Sequence, residues 1–308
     1  MSQLTLAICT HDRPQLLKQL VDRIAPELAR LEIALIVVDS ASEPVAAAAV
    51  RDCLRPHAEA QLMRIDAPGV SIARNAALHS ADTPWLAFID DDEIPDENWA
   101  HEALALISRL PGNCAACGGD VVPQWPQDRP VPAIGPRWRN YLSIIEQKGE
   151  FDQSTAPKFG VGHSILRVGA VQTVGGFDVR LGRDGTSLLS GEEVLLVRAL
   201  LAQDWRIWHS DRLRVQHLID RDRLRREWAR DRAYWEGVSR ARLLAIIDPA
   251  GLARLNRSVA WKAPFLKLLA GVSPDHHEFD LRSAFAVGVM TERRNAKSHF
   301  QGGKRAAG

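Results

Sequence analysis

The sequence predicts an α/β fold in which a mostly parallel central sheet is flanked by helices. Short apolar segments alternate with amphipathic segments over about the first 112 residues. The apolar segments carry no polar face, as is typical of parallel strands covered by helices on both sides. Polar residues follow several of these segments directly. Because ligands of such sheets bind beyond the carboxyl ends of the strands, the sequence predicts a ligand site at that edge.

The first predicted strand is Leu4–Thr10. A helix follows it, for which Asp12 is the expected N-cap and Pro14 fits the first turn. The next segments are predicted, in order, to be a strand in EIALIVVDSAS that ends at Asp39, a helix EPVAAAAVRDCL, a short strand AQLMRID, a helix GVSIARNAALHS and a strand in PWLAFIDDD.

After about residue 112, a Pro- and Trp-rich excursion precedes further regular segments. FGVGHSILRVGAVQTVGGFD predicts a strand, a short helix and a Gly-Gly turn, and GEEVLLVRALLAQDW predicts a helix with acid at its start. RIWHSDRLRVQHL predicts one or two short strands ending at His217, and a long Arg-rich helix is predicted from Asp220.

Composition narrows the partners of the protein. The 308 residues carry 39 Lys and Arg against 38 Asp and Glu, a net charge of +1, so we expect no nucleic-acid partner. The single C-x-x-C, Cys114 and Cys117, has no second half to complete a zinc site. Two packed thiols are the better interpretation of that motif.

No apolar run reaches the length of a membrane span, and the N-terminus lacks the basic region of a signal peptide. We therefore expect a cytoplasmic protein. Peripheral contact with the inner face of the membrane is left open by Val259–Val272, where Lys262 and Lys267 interrupt apolar residues. Packing of that segment on the protein's own core is the alternative.

Four adjacent acids, Asp90, Asp91, Asp92 and Glu93, follow the predicted strand WLAFI. Their repulsion is offset when they hold a divalent cation, and Mg²⁺ and Mn²⁺ prefer such oxygen ligands. On an extended segment Asp90 and Asp92 would point the same way and Asp91 the other. The alternative is an acidic turn that caps a helix near residue 95, which does not require so many carboxylates.

Seven segments in order resemble glycosyltransferase family 2: CTHDRP, VVDSAS, GVSIARNAAL, FIDDDE, VGGFD, SGEEVLLVRALLAQDWRI and RVQH. The resemblance runs from about Leu4 to Gly237. It implies a GT-A fold and inverting transfer of a sugar from a nucleotide donor to a hydroxyl group, with Mg²⁺ or Mn²⁺ as cofactor. It also implies a catalytic domain over residues 1–237, with a nucleotide-binding half to about 112 and an acceptor-side half from about 113. Residues 238–308 would form a C-terminal helical extension and polar tail.

The resemblance assigns five residues to the nucleotide-sugar. Asp39 matches the carboxylate that accepts the imide N–H of uracil, and the backbone near Thr10 would flank the same base. Arg74 matches the arginine that contacts the nucleotide or its phosphates. Asp90 and Asp91 belong to the acidic segment beside the diphosphate.

The resemblance also assigns the metal and the base. Asp92, Asp90 and His217 would serve the metal. Glu192 and Glu193 occupy the place where the family usually has Glu-Asp, with the aspartate as general base. Glu193 can perform that proton transfer, but it is one methylene longer, so Glu192 is the alternative base.

The function implied is metal-dependent transfer, preferably from a UDP-sugar, to a saccharide or lipid-linked saccharide in cell-surface polysaccharide or lipid-linked glycan synthesis. One alternative is a nucleotidyltransferase, although CTHDRP lacks the glycines expected after its first strand. Another is a catalytically degenerate protein that binds nucleotide-sugars.

Overall fold

A computed structural model describes residues 3–57, 59–128, 131–272 and 276–305. The chain divides into two compact units, which are described in turn. The first unit comprises Met1–Val131, Leu142–Arg180 and Glu192–Asp220, and the second comprises Pro132–Tyr141, Leu181–Gly191 and Arg221–Gly308.

The N-terminal part of the first unit alternates strands and helices as the sequence predicts. Four strands pair in parallel in the order β3-β2-β1-β4. The elements are β1 (Leu4–Thr10), α1 (Pro14–Arg30), β2 (Ala34–Ser40), α2 (Pro44–Leu54), β3 (Gln61–Ile65), α3 (Val70–Ser80) and β4 (Trp85–Ile89).

The rest of the first unit extends this sheet with mixed pairing. The elements are β5 (Glu93–Pro95), α4 (Trp99–Arg109), β6 (Cys114–Gln124), β7 (Glu150–Asp152), β8 (His163–Arg167), α6 (Val168–Thr173), α7 (Glu192–Leu201) and β9 (Arg206–Leu218). Beyond β4 the strand order is β8-β6-β9-β5, and β7 also pairs with β9. β8 is antiparallel to both β4 and β6, whereas β6 and β9 are parallel. In β9, the final strand, the structure has a single long element, where the sequence predicted one or two short strands.

The core of the first unit explains why its central strands have no polar face. Alternate residues of β1 point to opposite sides of the sheet. Leu6 and Ile8 join an apolar cluster that includes Leu17 of α1. Ala7 joins a second cluster, which includes Ala73 of α3. Both faces of the sheet are therefore covered by apolar side chains, as expected for strands buried between two layers of helices.

The structure contradicts the predicted cap at Asp12 and also the alternative interpretation of the acidic segment as a helix cap. Asp12 has a left-handed backbone (φ 56°), and its Oδ1 accepts a hydrogen bond from the backbone N–H of Glu43 instead of capping α1. After the acidic segment, residues Glu93–Pro95 form β5, and α4 begins only at Trp99. The acidic segment therefore does not cap a helix near residue 95.

The C-x-x-C thiols lie within β6. Cys114 and Cys117 are both buried and both are free cysteines. Burial raises the pKa of the Cys114 thiol to about 12, so it stays protonated at physiological pH. This agrees with the prediction of packed thiols.

The second unit is helical. It contains α5 (Pro136–Tyr141), a 3₁₀ turn (Arg221–Leu224), α8 (Arg226–Ile247), α9 (Pro249–Val272) and α10 (His276–Arg305). Within the described part of the chain, no helix is both long and apolar enough to cross a membrane.

Two glycines allow α8 and α10 to approach closely. A Cβ on Gly237 would meet the backbone oxygen of Phe285, and a Cβ on Gly288 would meet that of Tyr234. Each glycine therefore receives the backbone of the opposite helix, and neither backbone oxygen can move aside without shifting its helix.

We expect Gly237→Ala to lower the free energy of unfolding by about 1–3 kcal/mol, the usual cost of inserting a methyl group into a packed contact. Gly169→Ala is the matched control. Gly169 also lies in a helix, but a Cβ at that position would meet no neighbouring atom within 4 Å. Its replacement should leave stability unchanged or raise it by up to ~1 kcal/mol. Equal effects of the two changes in denaturant unfolding would contradict the close contact.

Candidate active site

The acidic segment after β4 forms a turn. The backbone N–H of Asp90 donates to the Gly162 oxygen (2.8 Å), and the N–H of Glu93 donates to the Asp90 oxygen (3.0 Å). The alternation predicted for an extended segment is therefore wrong. Asp91 and Asp92 face one arginine, Arg13, while Asp90 faces another, as the contacts below show.

Arg13 neutralises one side of the turn. Its Nη1 lies 3.1 Å from Asp91 Oδ1 and 3.3 Å from Asp92 Oδ2. Thr10 donates its hydroxyl to Asp91 Oδ2 at 2.8 Å. Burial raises the pKa of Asp91 to about 6, with Arg13 opposing this shift and Asp92 adding to it. Asp91 is thus a structural member of the turn, bound by two side chains.

Arg74 connects the acidic turn with the acidic pair that begins α7. Its Nη2 lies 3.2 Å from Asp90 Oδ1, and its Nη1 lies 2.9 Å from Glu192 Oε1. The guanidinium is buried, which opposes its charge, but Asp90 and Glu192 outweigh this and raise the pKa of Arg74. Its predicted contact with the nucleotide stays a prediction.

The two glutamates at the start of α7 have different environments. Glu192 is buried and paired with Arg74, whereas Glu193 is partly exposed. Desolvation raises the pKa of Glu193 to about 8, with the negative charge of Glu192 as the second cause. Once ionised, a carboxylate with a raised pKa is a stronger base than an ordinary one, which favours proton transfer to it.

Glu93 is a further acid of the site. It is buried at the start of β5, and desolvation, with the charges of Asp90 and Asp92, raises its pKa well above the usual range. Burial and the neighbouring carboxylates thus favour the protonated form of Glu93.

Asp92 and His217 are suited to hold a divalent cation together. His217 Nε2 lies 3.6 Å from Asp92 Oδ2, and the two elements meet because Glu93 pairs with His217 across β5 and β9. His217 Nδ1 lies 3.0 Å from the backbone oxygen of Leu142, to which only an N–H can donate. That bond places a proton on Nδ1 and directs Nε2 toward Asp92, the orientation in which a histidine can bind a metal through Nε2.

Among the described residues, no group of three or more His, Cys, Asp or Glu side chains is arranged to hold a metal. Two protein ligands fit a cation that takes the rest of its coordination shell from substrate phosphates and water, as Mg²⁺ commonly does.

Asp39 lies at the end of β2 beside Thr10, its partner in the β1–β2 register. Its carboxylate is buried, and both oxygens are engaged. Oδ1 accepts the backbone N–H of Ser42 (3.1 Å), and Oδ2 accepts Nη1 of Arg64 (2.5 Å). Asp39 is therefore held in one orientation at the edge where the predicted base would lie.

All the predicted site residues lie in the first unit, and contacts connect most of them. Asp91 and Asp92 meet at Arg13, and Thr10 bonds to Asp91. Asp90 and Glu192 meet at Arg74. The sequence reasoning missed Arg13 and Arg64 as parts of the site, and it gave Glu93 no role beyond membership of the acidic segment. Arg64 carried a usable signal, since it pairs directly with Asp39 in the β2–β3 register of the predicted sheet.

A central sheet of this topology with an acidic turn after β4 is the arrangement of GT-A glycosyltransferases. The model of glycosyl transferase family 2 matches residues 5–169, more than half of the chain, so this protein belongs to glycosyl transferase family 2. It is a glycosyltransferase.

Two named relatives agree with the family. The chain is 28% identical to the succinoglycan biosynthesis protein ExoM of Rhizobium meliloti, over 97% of this chain and 96% of ExoM. It is 25% identical to a glucosyl-dolichyl phosphate glucuronosyltransferase of Haloferax volcanii, over 59% of this chain and 57% of that protein.

Solved structures share the fold. The mannosyltransferase PcManGT of Pyrobaculum calidifontis, in complex with GDP-Man and Mn²⁺, has a TM-score of 0.60 at 18% identity, covering 94% of this chain and 86% of that one. GalNAc-T7 with UDP, GalNAc and Mn²⁺ has a TM-score of 0.55 at 13% identity, covering 78% of this chain and 50% of that one. These likenesses confirm the GT-A fold.

The raised pKa of Glu193 predicts a pH-dependent cost to stability. Above its ordinary value of 4.5 the carboxyl group ionises in the unfolded chain, whereas the folded chain keeps the proton up to about 8. Stability therefore falls as the pH rises through that window. Glu193→Gln removes this cost. The stability of the variant minus that of the wild type should therefore be larger at about pH 9 than at about pH 5.

Thermal unfolding at the two pH values measures this difference. Glu97→Gln, at an exposed position, is the control and should show no such change. A difference between wild type and Glu193→Gln that does not vary with pH would show that Glu193 titrates normally.

Proposed function

We propose that this protein is an inverting, metal-dependent glycosyltransferase that transfers a sugar from a UDP-sugar to a hydroxyl group of a saccharide or lipid-linked saccharide. The observation that carries the proposal is the pairing of Asp92 with His217 (3.6 Å) in a site that also contains a carboxylate of raised pKa, Glu193. The two features supply a cation site and a base, which are the two functions that such a transfer requires.

The pathway class is proposed from the relatives. One is named for the biosynthesis of succinoglycan, and another is named for transfer to a glucosyl-dolichyl phosphate. We therefore propose a role in cell-surface polysaccharide or lipid-linked glycan synthesis. A cytoplasmic location, where nucleotide-sugars are made, belongs to the same proposal.

Asp39 supports a uracil-containing donor. Arg64 and the Ser42 N–H fix its carboxylate, and each of its oxygens has a further lone pair that can accept the imide N–H of the base. TarS of Staphylococcus aureus, which shares the fold with a TM-score of 0.51, has a structure in complex with UDP. PcManGT binds GDP-Man, so a donor panel must include both bases.

Asp92 and His217 are the proposed metal ligands, with Asp90 beside them on the turn. A bound Mg²⁺ or Mn²⁺ would neutralise the charge that develops on the diphosphate leaving group. The positive charge of Arg13 lies beside Asp91 and Asp92 and offsets the repulsion between their carboxylates. Arg74 holds Asp90 at a fixed distance from the α7 acids.

Glu193 is the proposed base. The acceptor oxygen attacks the anomeric carbon, the bond from that carbon to the diphosphate breaks, and the hydroxyl proton passes to Glu193. Glu192 is less suited to accept this proton because its charge is already paired with Arg74. We assign Glu192 a positioning role, in which it anchors the start of α7.

The metal ligands are tested by Asp92→Asn, which preserves the shape of the side chain and removes its charge. We expect turnover to fall by about 10²-fold or more, the scale of losing several kcal/mol of charge stabilisation. Mn²⁺ binding in the presence of UDP, measured by titration calorimetry, should weaken in parallel. Glu97→Gln removes an exposed acid near the same segment and should change neither quantity.

Nucleotide release from a panel of UDP-, dTDP- and GDP-sugars is the activity assay, run with Mn²⁺, with Mg²⁺ and with excess EDTA. Loss of activity in EDTA and its recovery with added metal are expected. Full activity in EDTA would rule out the metal-dependent mechanism.

The base is tested by Glu193→Gln, which keeps the shape and hydrogen bonding of the side chain but cannot accept the proton. We expect turnover to fall by roughly 10²–10⁴-fold while donor affinity stays nearly unchanged. Glu192→Gln should be milder. Glu193→Asp reports whether the site requires the longer side chain, because a misplacement of ~1 Å can cost ~10²-fold.

Normal turnover in Glu193→Gln with an inactive Glu192→Gln would move the base to Glu192. Normal turnover in both variants would remove the pair from the mechanism.

A further inference from the structure

The outer face of α9 exposes large apolar side chains. Trp261, Phe265, Leu268 and Leu269 are 71%, 59%, 65% and 37% exposed. Within the described part of the chain, the other large apolar side chains with comparable exposure are all valines. Trp261 and Phe265 lie against each other, with ring centroids 5.9 Å apart. We call these four residues the α9 patch.

The patch occupies one side of a helix whose other side is already packed. At about 100° per residue, the four residues fall within an arc of about 100°. The opposite side carries Leu255, Val259, Ala263 and Leu266, which pack with Ala241 of α8 and with Ala286 and Val289 of α10. The bundle therefore accounts for the apolar residues of one face of α9 but not for the patch.

The charged residues of α9 itself are all basic. Arg257 and Lys262 are exposed and lie on either side of the arc of the patch, each about 20° beyond an edge. The sequence of Pro249–Val272 contains no Asp or Glu. Long basic side chains can rest their stems on apolar surface while their charges reach outward.

We propose that the α9 patch docks on the surface of an anionic lipid bilayer. An apolar stripe with aromatic residues, flanked by basic side chains, is the pattern of a helix that lies in the membrane interface. Anionic headgroups would meet Arg257 and Lys262, while Trp261 and Phe265 would enter the acyl boundary. This surface is independent of the donor and metal assigned above.

A second copy of this chain is a poorer occupant. A symmetric dimer through the patch would bring the same surface of each copy together. Arg257 and Lys262 would then face identical cations with no acidic residue of α9 to pair with them. The repulsion would oppose the apolar contact, whereas an anionic bilayer satisfies both features.

Flotation of the full chain with vesicles tests the proposal. We expect the wild type to bind phosphatidylcholine vesicles that contain phosphatidylglycerol, more weakly at high salt, and to bind phosphatidylcholine alone poorly. Trp261→Ala and Phe265→Ala should each weaken binding by about tenfold or more, because each removes a large apolar side chain that the bilayer would bury. The pair Arg257→Gln and Lys262→Gln should weaken binding only to the anionic vesicles.

The matched controls lie on α2. Val45→Ala removes an exposed apolar side chain and Arg51→Gln an exposed cation, and neither should alter vesicle binding. Circular dichroism confirms folding, and transfer to a water-soluble acceptor should be unchanged in every variant. If one of the aromatic changes disturbs folding, Leu268→Gln is a further variant that removes an apolar side chain of the patch.

Failure of the wild type to bind anionic vesicles would overturn the proposal, as would binding that Trp261→Ala and Phe265→Ala leave intact. A dimer in sedimentation analysis that these changes dissociate, without vesicle binding, would assign the patch to a second copy. Loss of vesicle binding with retained transfer would support membrane docking without touching the proposed mechanism.

Discussion

The two ion pairs of the buried Arg74 guanidinium are the interaction on which the candidate site depends. One guanidinium joins Asp90, at the end of β4, to Glu192, at the start of α7, although the two acids are far apart in sequence. Removing a partner from a buried ion pair leaves an uncompensated charge, which is strongly destabilising. Arg74 thus fixes the distance between the turn that faces the proposed metal and the helix that carries the proposed base.

The concentration of acids around this arginine sets the protonation state of the site. Arg13 and Arg74 cannot neutralise Asp90, Asp91, Asp92, Glu93, Glu192 and Glu193 together. Burial therefore raises the pKa of Glu93 well above its usual range and that of Glu193 to about 8. Desolvation is the larger cause of both shifts, and the charges of neighbouring acids add to it. The same acids favour the proposed binding of a divalent cation.

Much of the fold could be predicted because its determinants are local. The apolar runs of β1, β2 and β4 have no polar face, and only a sheet covered on both sides buries such strands. In a parallel sheet their carboxyl ends must lie at one edge, which places Thr10, Asp39 and the acidic segment together without reference to any side-chain contact. The mixed pairing of β8, β6 and β9 was less accessible, since those pairings join segments distant in sequence.

The sequence by itself determined the parallel core, the sheet edge that carries the candidate site and the chemical types of the site residues. These features could be predicted because hydrophobic periodicity and strand ends are visible within short stretches of sequence. Only the tertiary structure decided that the acidic segment turns, so that Asp91 and Asp92 share Arg13 while Asp90 pairs with Arg74. It also decided that Arg64 holds Asp39 and that Glu192 is paired with Arg74 while Glu193 is not. Such assignments depend on distances and burial, which set the energy of a charge and which no local pattern specifies.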